Sequence, residues 1–206
     1  MFTGIISLLG IVISSLQNKD GKTLIVKLPQ KVDAKIGDSI SIDGCCLTVI
    51  AIEFSQNASF PTFYISKETI ACTALGFLES GTIVNAELAM LASTPLGGHM
   101  VSGHVDEVAK VVVLENSENT YTIRIKVKSE NAKFLVNKGS VCVNGVSLTI
   151  MKIVENIFDL NIIPHTWENT NLKHLNTNTN SLVNVEYDQI VKIINQRLDA
   201  YIEQNS

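Results

Sequence analysis

Along much of the chain, apolar and polar residues alternate at the two-residue period of a strand with one buried face. From Tyr121 to Lys128, Ile123, Ile125 and Val127 point one way, and Thr122, Arg124, Lys126 and Lys128 point the other. Ser39 to Asp43 alternates in the same manner, with Ile40 and Ile42 inward. Asp20-Gly21, Asp43-Gly44 and Asn144-Gly145 separate such runs as turn signals. Brief helical turns are expected between strands, for example around Asn131 to Asn137. Only the tail changes period. From Asp188, a candidate N-cap, apolar residues fall at Ile190, Ile194, Leu198 and Tyr201, with Val191, Ile193 and Ile202 beside them. That stripe predicts a helix, which could equally pack on its own domain or serve oligomerisation.

The strand pattern occurs twice. Met1-Phe2-Thr3-Gly4-Ile5-Ile6 is matched by Met100-Val101-Ser102-Gly103-His104-Val105, and Ser39-Ile40-Ser41-Ile42-Asp43-Gly44-Cys45-Cys46-Leu47-Thr48-Val49 by Ser140-Val141-Cys142-Val143-Asn144-Gly145-Val146-Ser147-Leu148-Thr149-Ile150. Ile65 to Thr69 is matched by Ile162 to Thr166, and Val84 to Glu87 by Val183 to Glu186. Four blocks in one order, at nearly constant spacing, imply duplication with short loop insertions. Several short strands in so small a module favour a closed or nearly closed barrel, which leaves no exposed edge. The expected architecture is therefore all-β, with two tandem barrels over residues 1–92 and 99–187. A C-terminal helix follows over 188–206, and the segment from Ser93 to Gly98 is the linker.

A chain of 206 residues, 46% hydrophobic and 17% charged, can bury a sizeable core and is too apolar for disorder. The net charge of −4 and the lack of a lysine/arginine cluster argue against nucleic acid as a partner. Met1 to Gln17 carries no charged side chain, yet it lacks the features of a signal peptide and is short for a membrane span. The repeat supplies the stronger argument, because the same opening pattern recurs mid-chain, so no membrane association is expected. Cys45, Cys46, Cys72 and Cys142 have neither a CxxC pair nor a regular spacing, which fits free thiols in a reducing compartment, the cytoplasm. No metal-ligand spacing, P-loop or GxGxxG fingerprint is present.

Taken together, the opening Met1-Phe2-Thr3-Gly4-Ile5-Ile6, the Gly44-Cys45-Cys46-Leu47-Thr48-Val49 block, Lys67-Glu68-Thr69, the run from Gly97 to Val105 and Gly145-Val146-Ser147-Leu148-Thr149 resemble the riboflavin synthase family across nearly the whole chain. The resemblance implies two six-stranded Greek-key barrels and a C-terminal helix that assembles a homotrimer. It places the active sites between the first barrel of one subunit and the second barrel of another. The implied reaction is the dismutation of two molecules of 6,7-dimethyl-8-ribityllumazine, a transferase step moving four carbons without any cofactor. Two lumazines per site are the implied small-molecule partners, and association with lumazine synthase is a further implied partnership. Chemically, two copies of one substrate suit a duplicated module, and donor and acceptor roles require pockets that are not identical. The acidic 7-methyl protons give a carbanion that the ring system itself delocalises, and stacking two flat heterocycles supplies much of the rate through orientation.

Differences between the copies then single out residues. His104 stands where the first copy has Ile5, and its imidazole is the side chain whose unperturbed pKa lies nearest neutrality, so it is the candidate for proton transfer. A histidine that only hydrogen-bonds its neighbours is the bland alternative, which its place inside Ser102-Gly103-His104 disfavours. Cys46 is replaced by Ser147 in the second copy. By resemblance Cys46 lies against lumazine, assisting addition at C7 or stabilising the adduct, although free cysteines are usually buried small hydrophobes. Cys45, on the other side of the strand, is expected in the core. Ser147 and Thr149 share a face suited to a pterin edge, as do Cys46 and Thr48, and the resemblance adds Ser39 to the catalytic set. It assigns substrate contact to Gly4, Ile5, Ile6, Leu47, Tyr64, Lys67, Glu68 and Thr69 in the first copy. In the second it assigns Gly103, Val105, Lys138, Leu148, Asn161, Ile163, His165 and Thr166. Gly4 and Gly103 are expected to let a ring approach the backbone. His99 could simply end the linker turn, and His174 has no motif around it.

One exchange departs from the family pattern, which has asparagine at position 43 and aspartate at position 144, whereas this chain has Asp43 and Asn144. Either the carboxylate has crossed the compound site, or both residues only close their turns. Two other functions compete with the enzyme: an antenna-type protein that holds lumazine or flavin without converting it, and a flavin reductase barrel without its nucleotide domain. The retained Cys46, His104, Ser147 and Thr149 favour the enzyme over the first, and the tandem duplication counts against the second.

Overall fold

The structure, a computed structural model, describes residues 1–117, 120–177 and 181–205. The first barrel is built from β1 (Leu8–Asn18), β2 (Gly21–Lys27), β3 (Ser39–Ile42), β4 (Cys45–Phe54), β5 (Ser59–Ser66) and β6 (Ile83–Leu88). A short helix, α1 (Lys67–Cys72), and a 3-10 turn (Ala74–Phe77) join β5 to β6. The second barrel repeats the plan with β7 (Glu107–Ser117), β8 (Thr120–Lys126), β9 (Ser140–Val143), β10 (Val146–Val154), β11 (Ile157–Ile162) and β12 (Leu182–Tyr187). Here α2 (Pro164–Glu168) and a 3-10 turn (Asn171–His174) lie before β12, and α3 (Gln189–Gln204) ends the chain. Both sheets are closed and antiparallel, ordered β1-β2-β5-β4-β3-β6 and β7-β8-β11-β10-β9-β12, the Greek-key arrangement the resemblance implied.

Alternation decides which residues fill each barrel. Leu24, Val26, Phe63 and Ile65 are fully buried in the first, as are Ile123, Ile125, Phe158 and Leu160 in the second. Register shifts occur at matched places, between Val12 and Ser14 and between Val111 and Val113 on the first strand of each barrel. They recur between Val49 and Ala51 and between Ile150 and Lys152 on the fourth. Such bulges bend a strand and help a small sheet close. The helical turn expected around residues 131–137 is a 3-10 turn over Ser129–Phe134.

The tail helix forms where its pattern predicted. Asp188 Oδ1 accepts a 2.8 Å bond from the Ile190 amide as its N-cap, and Ser206 lies outside the described residues. Its apolar stripe is not packed on its own barrel. Ile190, Ile194, Leu198 and Tyr201 are each more than half exposed, and α3 has no buried residue. The described ties to the body are two ion pairs, Lys192 with Asp106 and Lys133 with Asp199. No helix among the described residues is long and apolar enough to cross a membrane.

Candidate functional site

The two Thr/Ser-Gly motifs form the same small device. In the first, both oxygens of Glu87 on β6 accept from the opening loop: Oε1 from Thr3 N at 2.6 Å and Thr3 Oγ1 at 2.7 Å, and Oε2 from Gly4 N at 3.0 Å. In the second, Glu186 on β12 accepts from Ser102 N at 2.7 Å, Ser102 Oγ at 2.6 Å and Gly103 N at 2.9 Å. The next amide then donates back to the hydroxyl, Ile5 N to Thr3 Oγ1 and His104 N to Ser102 Oγ, both at 3.2 Å. Burial raises the Glu87 carboxyl above its usual range, against the lowering effect of the donors on Thr3 and Gly4. Each loop therefore ends on one outward side chain, Ile5 in one copy and His104 in the other, both exposed.

Each loop also reaches across to the opposite barrel. Phe2 and Val101 pair as an antiparallel bridge. The Gly4 carbonyl accepts from Ser147 N, and the Gly103 carbonyl from Cys46 N, both at 2.8 Å. Both glycines adopt left-handed backbone, at φ +75° and +82°. A Cβ on Gly4 would stand 2.5 Å from the Ser147 Cβ, and one on Gly103 2.6 Å from the Cys46 Cβ. The glycines are thus required for contact between the barrels. Phe2, Val101 and Cys142 form a small buried cluster on this seam, with Cys46 packed against it.

Chemistry-bearing residues gather on each side of this crossing. Cys46 and Thr48 lie on the outer face of β4, with Ser39 paired opposite Thr48. Ser147 and Thr149 occupy the same positions on β10, with Ser140 opposite Thr149. A cavity of about 590 Å³ includes Ile5 with Thr3, Glu87, Leu91 and Gly97 in its wall. Another, of about 670 Å³, includes His104 with His99, Met1, Asp188 and Ile190. His99 Nδ1 lies 2.6 Å from Ser147 Oγ. Burial lowers the His99 pKa, partly opposed by the negative charges of Asp188 and Glu186. His99 is therefore bonded to Ser147 as well as ending the linker turn.

Comparison with known proteins matches this arrangement. The lumazine binding domain occurs twice, at residues 3–89 and 102–188. Riboflavin synthase of Photobacterium phosphoreum is 40% identical over 96% of this chain and 89% of its own length. The Bacillus subtilis enzyme is 38% identical over 93% and 87%, and the Escherichia coli enzyme 34% over 97% and 94%. The chain belongs to the riboflavin synthase family. Among solved structures, LumP complexed with 6,7-dimethyl-8-(1'-D-ribityl) lumazine superposes with a TM-score of 0.79 at 26% identity, covering 91% of this chain and 99% of LumP.

Other residues expected at a riboflavin synthase site divide by position. Leu47 is 4% exposed inside the first core, and Leu148 packs against the second. Ile6 packs against the second barrel's core and Val105 against the first barrel's, each anchoring its loop in the opposite barrel. Leu47 is thus turned into its core by strand parity, and the other three are partly buried where they pack against theirs. Tyr64 and Lys67 both hold the β1–β2 turn: Tyr64 OH donates to the Asp20 carbonyl at 2.7 Å, and Lys67 Nζ pairs with the Asp20 carboxylate at 3.1 Å. Glu68 is exposed in the first turn of α1, and Thr69 N donates to the Ser66 cap at 3.1 Å. In the second copy Asn161 Oδ1 accepts from Thr122 Oγ1 at 3.3 Å. Ile163 is the exposed N-cap residue of α2, where His165 and Thr166 follow, and their carbonyls accept from Asn169 Nδ2 and Thr170 Oγ1. Lys138 has φ +65°, the left-handed position that Gly37 fills in the first copy, and its amide donates to the Ile150 carbonyl at 2.9 Å. His174 is exposed, as expected.

The Asp43/Asn144 exchange has a structural account. Both residues sit in left-handed turns on the seam between barrels, and their oxygens accept from Asn85 N at 2.7 Å and Asn184 N at 2.8 Å. Asn184 Nδ2 donates to the Asp43 carbonyl, and Asn85 Nδ2 to the Asn144 carbonyl. Asymmetry enters through Asn171, whose Nδ2 gives Asp43 Oδ1 a second donor at 2.8 Å, whereas the corresponding position of the first copy is Ala74. Burial pushes the Asp43 carboxyl up to about 7, against the bonds from Asn85 and Asn171. Neither residue lines the cavities at Ile5 and His104. Both residues thus close their turns and dock the two barrels.

Proposed function

We propose that the chain dismutates two molecules of 6,7-dimethyl-8-ribityllumazine into riboflavin and 5-amino-6-(D-ribitylamino)uracil by four-carbon transfer. The observation that carries this reading is the pair of equally clamped loops, which meet Cys46 in one barrel and Ser147 in the other and present His104 and Ile5. Two similar pockets with unlike polar groups are what a donor and an acceptor copy of one substrate require. His104 exchanges the 7-methyl proton. Cys46 and Ser147, the latter bonded to His99, stand where they can assist addition at C7. Thr48, Thr149 and Ser39 offer hydroxyls to the pterin edges. Lys138, held at an unusual backbone angle beside β10, is placed to meet a polar group of the substrate.

The exposed apolar stripe of Ile190, Ile194, Leu198 and Tyr201 on α3 supports assembly as a homotrimer, with sites formed between the first barrel of one subunit and the second of another. A cytoplasmic setting fits four free cysteines. Association with lumazine synthase would place this chain beside the source of its substrate. The second reading, an antenna that holds lumazine without converting it, is favoured by the likeness to LumP. Incubation with 6,7-dimethyl-8-ribityllumazine and no added cofactor separates the two. The enzyme yields one riboflavin for every two lumazines consumed, whereas binding without turnover overturns the dismutase and leaves the antenna.

A further inference from the structure

Glu186 is 2% exposed, and its described hydrogen bonds are the three donors of the Ser102-Gly103 loop. It pairs with no cation among the described residues. A buried carboxylate without a cation is held only where several donors converge on it. Here the convergence has a geometrical result. The bonds from Ser102 N, Ser102 Oγ and Gly103 N fix three successive groups of the chain. Gly103 is thereby locked in left-handed backbone with its carbonyl on the Cys46 amide. His104 N is then tied to Ser102 Oγ, so the Cα–Cβ direction of His104 is set by a carboxylate the imidazole itself need not touch. Removing one bond frees the loop at the residue before the histidine.

We propose that Glu186 is a positioning residue that acts through His104, an inference that rests on the dismutase reading above. An amide cannot replace it without loss, because three donors approach two oxygens and one of them would meet an NH2 group. The first copy supplies an internal control. Glu87 clamps Thr3 and Gly4 with matching bonds, but the side chain it orients is Ile5, which can shape a pocket and cannot move a proton. Loosening Glu87 therefore impairs binding, whereas loosening Glu186 impairs the step that uses His104. Displacement by an ångström of a group that transfers a proton is worth about 100-fold in rate.

The test compares Glu186→Gln, Glu87→Gln and His104→Gln in the full chain, singly and with Glu186→Gln added to His104→Gln. Expected is a kcat loss of about 10- to 100-fold for Glu186→Gln with KM changed by less than about threefold, and mainly a KM increase for Glu87→Gln. Once His104 is absent, Glu186→Gln should lower kcat by no more than about twofold further. An equal fold-loss with and without His104, or equal kcat losses for the two clamp variants, overturns the proposal. If Glu186→Gln fails to fold, Ser102→Ala, which removes only the hydroxyl from the clamp, takes its place in the same comparison, with the same expected and overturning results. A parent protein that does not turn over lumazine overturns the dismutase reading and this proposal with it. That result is distinguishable from additive losses in an active parent, which overturn the proposal alone.

Discussion

The Thr3-Gly4-Ile5 and Ser102-Gly103-His104 loops are alike in every backbone bond and unlike in the side chain they deliver. Each is clamped by a buried glutamate, crosses to the other barrel through a left-handed glycine and returns an amide to its own hydroxyl. Duplication preserved the holder and changed what it holds. Positions that set backbone geometry (Gly4/Gly103, Glu87/Glu186) stayed paired, because altering one breaks a barrel seam. Outward positions (Ile5/His104, Cys46/Ser147) could diverge without structural cost. The divergence at Asp43/Asn144 is of another kind. It lies on the seam, and it is accompanied by Asn171 in place of an alanine, so the carboxylate oxygen that accepts from Asn85 N accepts from a further amide as well.

The likeness of the two loops breaks most severely at the diverged side chain. His104→Gln is expected to reduce kcat about 1000-fold, the middle of the range for a lost proton-transfer group, while Ile5→Ala changes mainly KM. Steady-state turnover of both variants is the check, and equal kcat losses would mean that the loops are functionally equivalent. Next comes the seam. The folded-state pKa of Asp43, pushed up to about 7 from 3.8, lies above the unfolded value. The folded chain therefore binds the proton more tightly. The stability this brings is fully present below about pH 4 and is lost as pH rises through 7. Relative to Asp43→Asn, the parent should lose up to about 4 kcal/mol between pH 4 and pH 8. Denaturant titrations of both proteins at the two pH values measure this, and parallel pH profiles would show that Asp43 does not titrate with folding.

Smaller effects sharpen the picture. Gly4→Ala and Gly103→Ala each place a Cβ within 2.6 Å of the opposite barrel and demand left-handed alanine, so each should cost about 2–3 kcal/mol of stability. Urea unfolding at constant pH provides the readout, and a loss confined to one of the two would show that the seams are unequal. At the bottom of the scale, the Lys67–Asp20 pair is exposed on both sides, so Lys67→Ala should change stability by less than about 0.5 kcal/mol. A larger loss would show that the β1–β2 turn depends on it.

Most of the fold was legible in the sequence because strand alternation and turn dipeptides are local signals, and the repeat supplied each of them twice. Ile123, Ile125 and Val127 are buried as their spacing requires, and Asp188 caps the helix where the period changes. What escaped was whatever depends on contact between the barrels. Ile6 and Val105 follow the motif, and only the crossing of the loops shows that each packs against the opposite core. The glutamate clamps were visible only as matched letters at Glu87 and Glu186, about 84 positions from the loops they hold. His99 had a signal, the Gly97-Gly98 turn before it, but its bond to Ser147 spans 48 residues and no local pattern encodes it.

Central to the dismutase reading is that both halves of the duplication still bind the same molecule. Calorimetric titration of His104→Gln, in which turnover is slow, with 6,7-dimethyl-8-ribityllumazine tests this most directly. Two equivalents bound per chain, one weakened by Thr48→Asp on the first barrel and the other by Thr149→Asp on the second, is the predicted result. A single equivalent, lost with only one of those substitutions, would contradict it and show that one barrel has kept the loop but lost the pocket.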